Sequence, residues 1–537
     1  MIDKVGVVYK TFMAFFDKVR AYSSTQERNP DLAQRAILTS VSGLLQQAAQ
    51  LSVKFLVTPI LIQGLGTELY GAWLMIQQIA GYVSLSDLRP MGTLKFTLAV
   101  QQHVEDLDQK RRQVGAAIKL WLLTLPMFLV ISVLVVWAIP RFVSVKPENV
   151  QALQLSAALI VFSIPLTRVL SLPANILRGI NLDYAGMGLN ALTILIGGSM
   201  TALVIWWDMG LIGIAVASVL GSFVNASARF WIARENVEWL SVEWPSRTEF
   251  SSFFKRSSWL FLSGLSSLLL KSSDSLLIGI ILSPSVAATY YVTGTALRLA
   301  TMVIQKLLSS ANPGIAGLCG EKDWERVKQA RSQIHLLVSI TMVVIGAGTI
   351  ALNEPFLGLW IGEGVYAGDV TNFLLLLLTT QALFFQVDSV IVEFMLELRV
   401  KAVCTLVGAL LGLFVGLILA DKWGLPGMVL GTFLGRLGMT IYFPIVIWRK
   451  VGPSPEGYSY SLARIALVSS FLLPTVYGLS MSLHPKTWFS FLVMTMIIGV
   501  MSAGMTWYLG LAKGYRERFT RRWRRLLHSL PIGLARD

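Results

Sequence analysis

The chain contains fourteen runs of about 20–27 mainly apolar residues, separated by short polar turns. A helix needs about 20 such residues to cross a ~30 Å hydrocarbon layer. No water reaches that layer, so each span must satisfy its own backbone N–H and C=O groups. Runs of this length and number specify an all-α polytopic membrane protein with about 14 transmembrane helices. Only 14% of the 537 residues are charged, against about a quarter in a soluble domain. No polar stretch is long enough for a separate soluble domain.

The expected spans are 36–62, 68–90, 114–139, 151–173, 184–207 and 210–232, then 257–282, 286–311, 332–352, 370–395, 401–420, 424–448, 461–482 and 486–510. They imply a domain order. Residues 1–32 form an amphipathic segment and linker, with Lys4, Lys10, Lys18 and Arg20 interleaved among Val7, Phe12, Phe15 and Phe16. An N-lobe (33–234), a linker (235–256), a C-lobe (257–450), a helix pair (451–511) and a basic tail (512–537) follow.

Charge sets the orientation. With both termini in the cytoplasm, that side carries about 33 Lys and Arg in its tails and loops; the other side carries about four, namely Arg141, Lys146, Lys422 and Lys486. The expectation is a multi-pass inner-membrane protein with N- and C-termini cytoplasmic. The basic run 513–525 lies beside a helix end, where anionic membrane lipid is a better partner than nucleic acid. Cys319 and Cys404 lie far apart, and the four His show no zinc-binding spacing, so neither a metal site nor a cofactor is expected.

The chain also repeats. Gly210-Leu211-Ile212-Gly213, followed by Ala217 and Gly221, matches Gly424-Leu425-Pro426-Gly427, followed by Gly431 and Gly435. Both are small-xxx-small faces, which let helices approach closely. Two six-helix lobes fit. Six is even, so both lobes insert the same way and are related by a pseudo-twofold along the membrane normal, with two C-terminal helices added.

Charges fall inside the spans, where they are expensive and normally face protein or a wet cavity. In 257–282, Ser263, Ser267, Lys271 and Asp274 share one face. Lys271 and Asp274, three residues apart, either neutralise each other or form a polar cavity wall. Gln46, Gln50, Lys54 and Thr58 step by four along the first span, and Gln77 and Gln78 lie at matching depth in the second. Arg168 shares a face with Asn175, and Arg298 with Tyr291, Gln305 and Asn312. The candidate substrate-binding residues of a cationic cavity are therefore Lys54, Lys271, Arg298, Arg168, Gln50 and Gln78. Such a cavity suits a phosphate or diphosphate. Asp388 and Asp274 are the candidate ion-coupling residues; Asp388 either pairs with a cavity arginine or takes up a proton.

Pro59-Ile60-Leu61-Ile62 followed by Leu65-Gly66-Thr67-Glu68-Leu69-Tyr70-Gly71-Ala72-Trp73 resembles the first helix pair of polysaccharide-exporter flippases. These belong to the multidrug/oligosaccharidyl-lipid/polysaccharide exporter superfamily. Ser84-Leu85-Ser86-Asp87-Leu88 resembles it too, as does Asp274-Ser275-Leu276-Leu277-Ile278-Gly279 with Tyr290-Tyr291. The family often carries Asp-Leu-Gly after its second helix; here the order is Asp87-Leu88-Arg89-Pro90. The resemblance implies alternating access between two lobes and transport of an undecaprenyl-diphosphate-linked oligosaccharide for surface polysaccharide biosynthesis. It also implies coupling to a proton or sodium gradient. The alternatives are a cation-coupled multidrug exporter, which would need acids to dominate the cavity, and a polyprenyl-dependent glycosyltransferase or polymerase. The latter needs sizeable outer loops, and here only 353–369 has any length or acidity. An enzyme is therefore not expected.

Overall fold

The computed structural model describes residues 32–101, 106–180, 182, 186–237, 239–482 and 485–520, all of them in helices and their connections. The amphipathic segment and most of the basic tail fall outside these residues, as do the side chains of Lys271 and Lys306.

The helices are α1 (Leu32–Val83), α2 (Pro90–Val100), α3 (Leu107–Phe142), α4 (Val150–Leu170), α5 (Leu172–Gly179), α6 (Met187–Trp206) and α7 (Gly210–Asn236). Then come α8 (Arg247–Ile281), α9 (Pro284–Thr293), α10 (Thr295–Gly320), α11 (Trp324–Trp360), α12 (Asp369–Phe394), α13 (Leu398–Val451), α14 (Tyr458–Ser482) and α15 (Trp488–Met505). Ten are long and apolar enough to cross a bilayer, or eleven if the two limbs of α8, bent by 52° around residue 271, count as one span.

Three features separate these numbers from the fourteen spans read in sequence. α1 and α13 each comprise two helices that meet at a kink, at Gly66 (φ 75°) and Gly424 (φ 59°), close to where the sequence separates its spans. Both glycines hold left-handed conformations that L side chains rarely adopt. The run 286–311 is divided at Gly294 between the ten-residue α9 and α10, which carries Arg298, Gln305 and Lys306.

The described residues form two compact units. The first reaches Gly66 and resumes from Ile76 to Leu265; the second comprises Thr67–Met75 and everything from Ser266 onward. The stretch 235–256, expected to link the lobes, lies within the first unit. It is strapped to the foot of α3: Glu243 N donates to Arg111 O (3.4 Å), and Gly115 lies flush against the Glu243 carbonyl. Trp239 is buried with Leu98, Ala117, Leu177, Ala233 and Phe253 in the core of this unit. The second core joins Ile278, Leu297, Met342, Leu383, Met428 and Phe443. A further cluster, Leu336, Leu352, Ile465, Leu472 and Leu511, seats α14 and the end of α15 on α11. Leu123, Val130, Val133 and Leu134 of α3, and Phe489, Leu492 and Val500 of α15, are exposed. A bilayer is the natural cover for such surfaces.

The repeat has a backbone counterpart. Gly210 (φ 56°) and Gly424 (φ 59°), the first residues of the two matching segments, both have positive φ.

Candidate functional site

In the first unit, Asp87 is buried at the turn after α1 and accepts a bond from Arg89 N (2.8 Å). Arg168 of α4 reaches this turn: its Nε is 3.4 Å from Asp87 Oδ2, and its Nη2 donates to Ser84 O (3.4 Å). Arg89 sits where the family pattern often has glycine, and its φ of 56° is the left-handed value a glycine would favour. Lys54 on α1 is exposed and, among the described residues, no hydrogen bond or ion pair holds it; Gln50 and Gln78 are half-buried.

α4, α5, α6 and α7 enclose a pocket of about 590 Å³ beside Val53 and Val57 of α1. Its lining combines Thr167, Ser171, Thr193, Asn175 and Asn225 with Val57, Ile194 and small residues, and includes Arg178 and Arg229. Of the candidate substrate residues whose side chains are described, Lys54, Arg298, Arg168, Gln50 and Gln78, none lines it, although Val53 and Thr167 are the chain neighbours of Lys54 and Arg168. The signal was present in sequence: Ser218, Ser222, Asn225 and Arg229 recur at helical spacing along α7.

In the second unit, Asp274 pairs with Arg436 of α13. Both residues are buried, and Arg436 Nη2 donates to Oδ1 (2.8 Å) and Oδ2 (3.0 Å). Arg298 lies 4.1 Å over the Tyr291 ring and donates from Nη2 to Thr295 Oγ1 (3.2 Å). Tyr70 meets Tyr291 edge-on at 6.4 Å.

Asp388 is buried in a four-residue network. Arg331 donates to it bidentately, Nε to Oδ1 (2.6 Å) and Nη2 to Oδ2 (2.8 Å). His335 Nε2 is 3.2 Å from Oδ1, and His335 Nδ1 is 2.8 Å from the Tyr458 hydroxyl. The hydrogen bond of His335 is the one between Nδ1 and Tyr458, while Nε2, buried beside the carboxylate, makes none among the described residues. The network borders a cavity of about 430 Å³ lined by Lys328, Phe384 and Trp448 as well. The arginine partner left open in sequence is Arg331. It stands one residue before the apolar run that begins at residue 332. Glu393 pairs with Lys401. Among the described residues, no group of three His, Cys, Asp or Glu could hold a metal ion.

The buried intramembrane carboxylates Asp87, Asp274 and Asp388 therefore each face an arginine, while Lys54 and Arg298 face no carboxylate among the described residues. The local excess is positive.

A family model described as "Polysaccharide biosynthesis protein" matches residues 32–316. Among solved structures, the chain resembles a lipid II flippase, MurJ, in its inward closed conformation: TM-score 0.63, 14% identity, 92% of this chain and 100% of that one. It also resembles an inward-facing multidrug resistance MATE family transporter of the MOP superfamily, with TM-score 0.60, 16% identity, 76% of this chain and 100% of that one. An outward-facing transporter of the same description gives 0.55, 17%, 79% and 96%. At these identities the likeness is one of fold. No curated protein sequence matches.

Proposed function

The chain belongs to the polysaccharide biosynthesis protein family, and from that premise we propose that it flips an anionic, undecaprenyl-diphosphate-linked oligosaccharide across the plasma membrane by alternating access. Its fold is that of MOP-superfamily transporters. A diphosphate and its sugars cross hydrocarbon only if their desolvation is offset. Fixed cations supply that offset through charge-assisted bonds, while the prenyl tail remains in lipid.

The observation that carries the reading is the arginine matching of the intramembrane acids. Matching Asp87, Asp274 and Asp388 leaves Lys54 and Arg298 as positive charge available to an anion. We assign Lys271 to the same set from its place on α8, and Arg168, Gln50 and Gln78 as polar neighbours. An exporter of organic cations would want the opposite: unmatched carboxylates among its arginines. Coupling to a proton or sodium gradient through Asp274 or Asp388 requires that Arg436 or Arg331 first be displaced. Counting a span on each side of Gly66 and Gly424, both limbs of α8 as one, and α9–α10 as one gives the fourteen-helix arrangement. That arrangement is two six-helix lobes plus α14 and α15, with both termini cytoplasmic.

The test is deletion of this chain in its own cell. Lipid-linked oligosaccharide should accumulate on the cytoplasmic leaflet, and surface polysaccharide should disappear. Normal surface polysaccharide after deletion would overturn the reading.

A further inference from the structure

Gly294 stands between α9 and α10, yet its φ of −76° is open to any L residue. The chain path there does not demand a glycine. The space does. A Cβ at 294 would lie 2.5 Å from Arg298 Nη1 and 3.3 Å from Arg298 Cζ, and its three nearest heavy atoms all belong to that guanidinium. The guanidinium of Arg298 lies where a side chain at 294 would begin.

Three other residues complete the arrangement. Tyr291 sets its ring 4.1 Å from Arg298 Cζ, within the range of cation–π attraction. Thr295 Oγ1 accepts from Arg298 Nη2 (3.2 Å) and donates its own hydrogen to Tyr291 O (2.9 Å), which leaves its lone pairs for the guanidinium. Tyr70, buried, meets Tyr291 edge-on, with ring centroids 6.4 Å apart and planes at 69°. Aromatic pairs favour that geometry. Gly71 lies so close to Pro284 that a Cβ there would overlap the Pro284 carbonyl. The stretch Thr67–Met75 is thus held flush on the start of α9. Tyr70 and Gly71 belong to the sequence motif by which the chain resembles the exporters, and here they brace the ring beneath Arg298.

Held in this way, the guanidinium keeps donors to offer. Nη2 gives one of its two hydrogens to Thr295. Nε and Nη1 make no hydrogen bond among the described residues, and neither is sealed inside the protein. Arg331 and Arg436 differ, since each already holds a buried carboxylate.

We infer that Gly294, Tyr291 and Thr295 form a seat that fixes the Arg298 guanidinium, with Tyr70 steadying the ring, so that Arg298 meets a phosphate of the cargo already oriented. The inference rests on the flippase reading, which supplies the anion, and adds the residues through which Arg298 acts. They are positioning residues. A loose arginine gives up rotamer freedom when it binds, whereas a seated one has given it up beforehand.

The experiment reads Arg298 directly. In the purified full-length protein, modification of Arg298 by phenylglyoxal is followed by mass spectrometry of its peptide. Farnesyl diphosphate is the probe, and sodium chloride at matched ionic strength is the control. In the parent the diphosphate should slow modification and the chloride should not. In Gly294→Ala, whose methyl displaces the guanidinium, half-protection should need about threefold to thirtyfold more probe, the range a cation–π contact spans. The melting temperature should stay at the parent's, because the group that yields is the tip of an arginine. Tyr291→Leu should weaken protection likewise, and Tyr291→Phe, which keeps the ring face, should restore it. Parent modification that the diphosphate leaves unslowed, or that sodium chloride slows equally, overturns the seat as an anion site.

Transport separates this inference from the reading beneath it. Gly294→Ala should raise the KM for lipid-linked oligosaccharide in proteoliposomes, and in an Arg298→Gln background it should change nothing, since its effect runs through the guanidinium. An equal KM effect with and without Arg298 would overturn the seat and leave the flippase reading standing. Gly294-dependent protection in a protein whose deletion leaves surface polysaccharide normal would do the reverse.

Discussion

Arg436 Nη2 donates to both oxygens of Asp274, at 2.8 and 3.0 Å, joining α13 to α8 across a sequence separation of 162 residues. Both side chains are about nine-tenths or more buried. Removing one partner leaves the other charged and desolvated, which costs about 3–5 kcal/mol. Asp274→Asn and Arg436→Met should each lower the melting temperature of the purified protein sharply. The double variant Asp274→Leu/Arg436→Met should recover most of the loss. If the double variant melts lower than either single one, the pair is not a charge-matching device.

The Asp388 network makes a parallel claim with a different sign for coupling. Asp388→Asn and Arg331→Met should destabilise to a similar degree, because each orphans the same buried bond pair. Tyr458→Phe, which removes one neutral hydrogen bond to His335, should cost only about 1 kcal/mol. Calorimetry or thermal shift on the three variants checks the ranking. An Asp388→Asn protein that melts like the parent yet loses gradient dependence would instead make Asp388 a coupling residue with no structural duty.

Lys54 and Arg298 should behave in the opposite way. Neither holds up a carboxylate among the described residues, so Lys54→Gln and Arg298→Gln should leave stability within about 0.5 kcal/mol. Each should still reduce flipping about tenfold or more, since a charge-assisted bond to phosphate is worth ~1.5–3 kcal/mol. A fluorescent lipid diphosphate oligosaccharide in proteoliposomes, quenched from outside, measures the rate. Unaltered flipping in both variants would remove them from the proposed cargo-binding residues.

Arg89 supplies a test of backbone strain. Its left-handed φ of 56° disfavours an L side chain by about 1–2 kcal/mol. Arg89→Gly should therefore raise the melting temperature, provided the guanidinium lying over Gly264 contributes less than the strain it accompanies. A fall in melting temperature would mean that this contact outweighs the backbone term.

Helix positions and the repeat were legible in the sequence because both follow from local pattern: apolar length and the spacing of Gly213/Ala217/Gly221 and Gly427/Gly431/Gly435. Partner choice was not. Asp274 has Lys271 three residues away, yet its guanidinium comes from Arg436. Asp388 is served by Arg331, one residue outside the apolar run that defined its helix in sequence. Those pairings depend on which helix faces meet, and composition carries no information on that. The first-unit pocket was half visible. Its Ser218–Arg229 face is written plainly on α7, but whether a small-residue seam closes or opens is decided by the opposing helix. Gly412 and Gly416 lie tight against Gly435 and Gly431, whereas Gly221 stands at ordinary contact distance from Gly197.

The Tyr458–His335–Asp388–Arg331 chain has a mechanical corollary. It ties the first of the two appended helices to α11 and α12 by a polar rivet, and the Leu336–Leu472–Leu511 cluster seals the same joint with oil. α14 and the foot of α15 are thus freight bolted to a moving wagon: wherever α11 travels in a transport cycle, they travel too. A dye on Phe489 would then serve as an odometer for the helix beneath it.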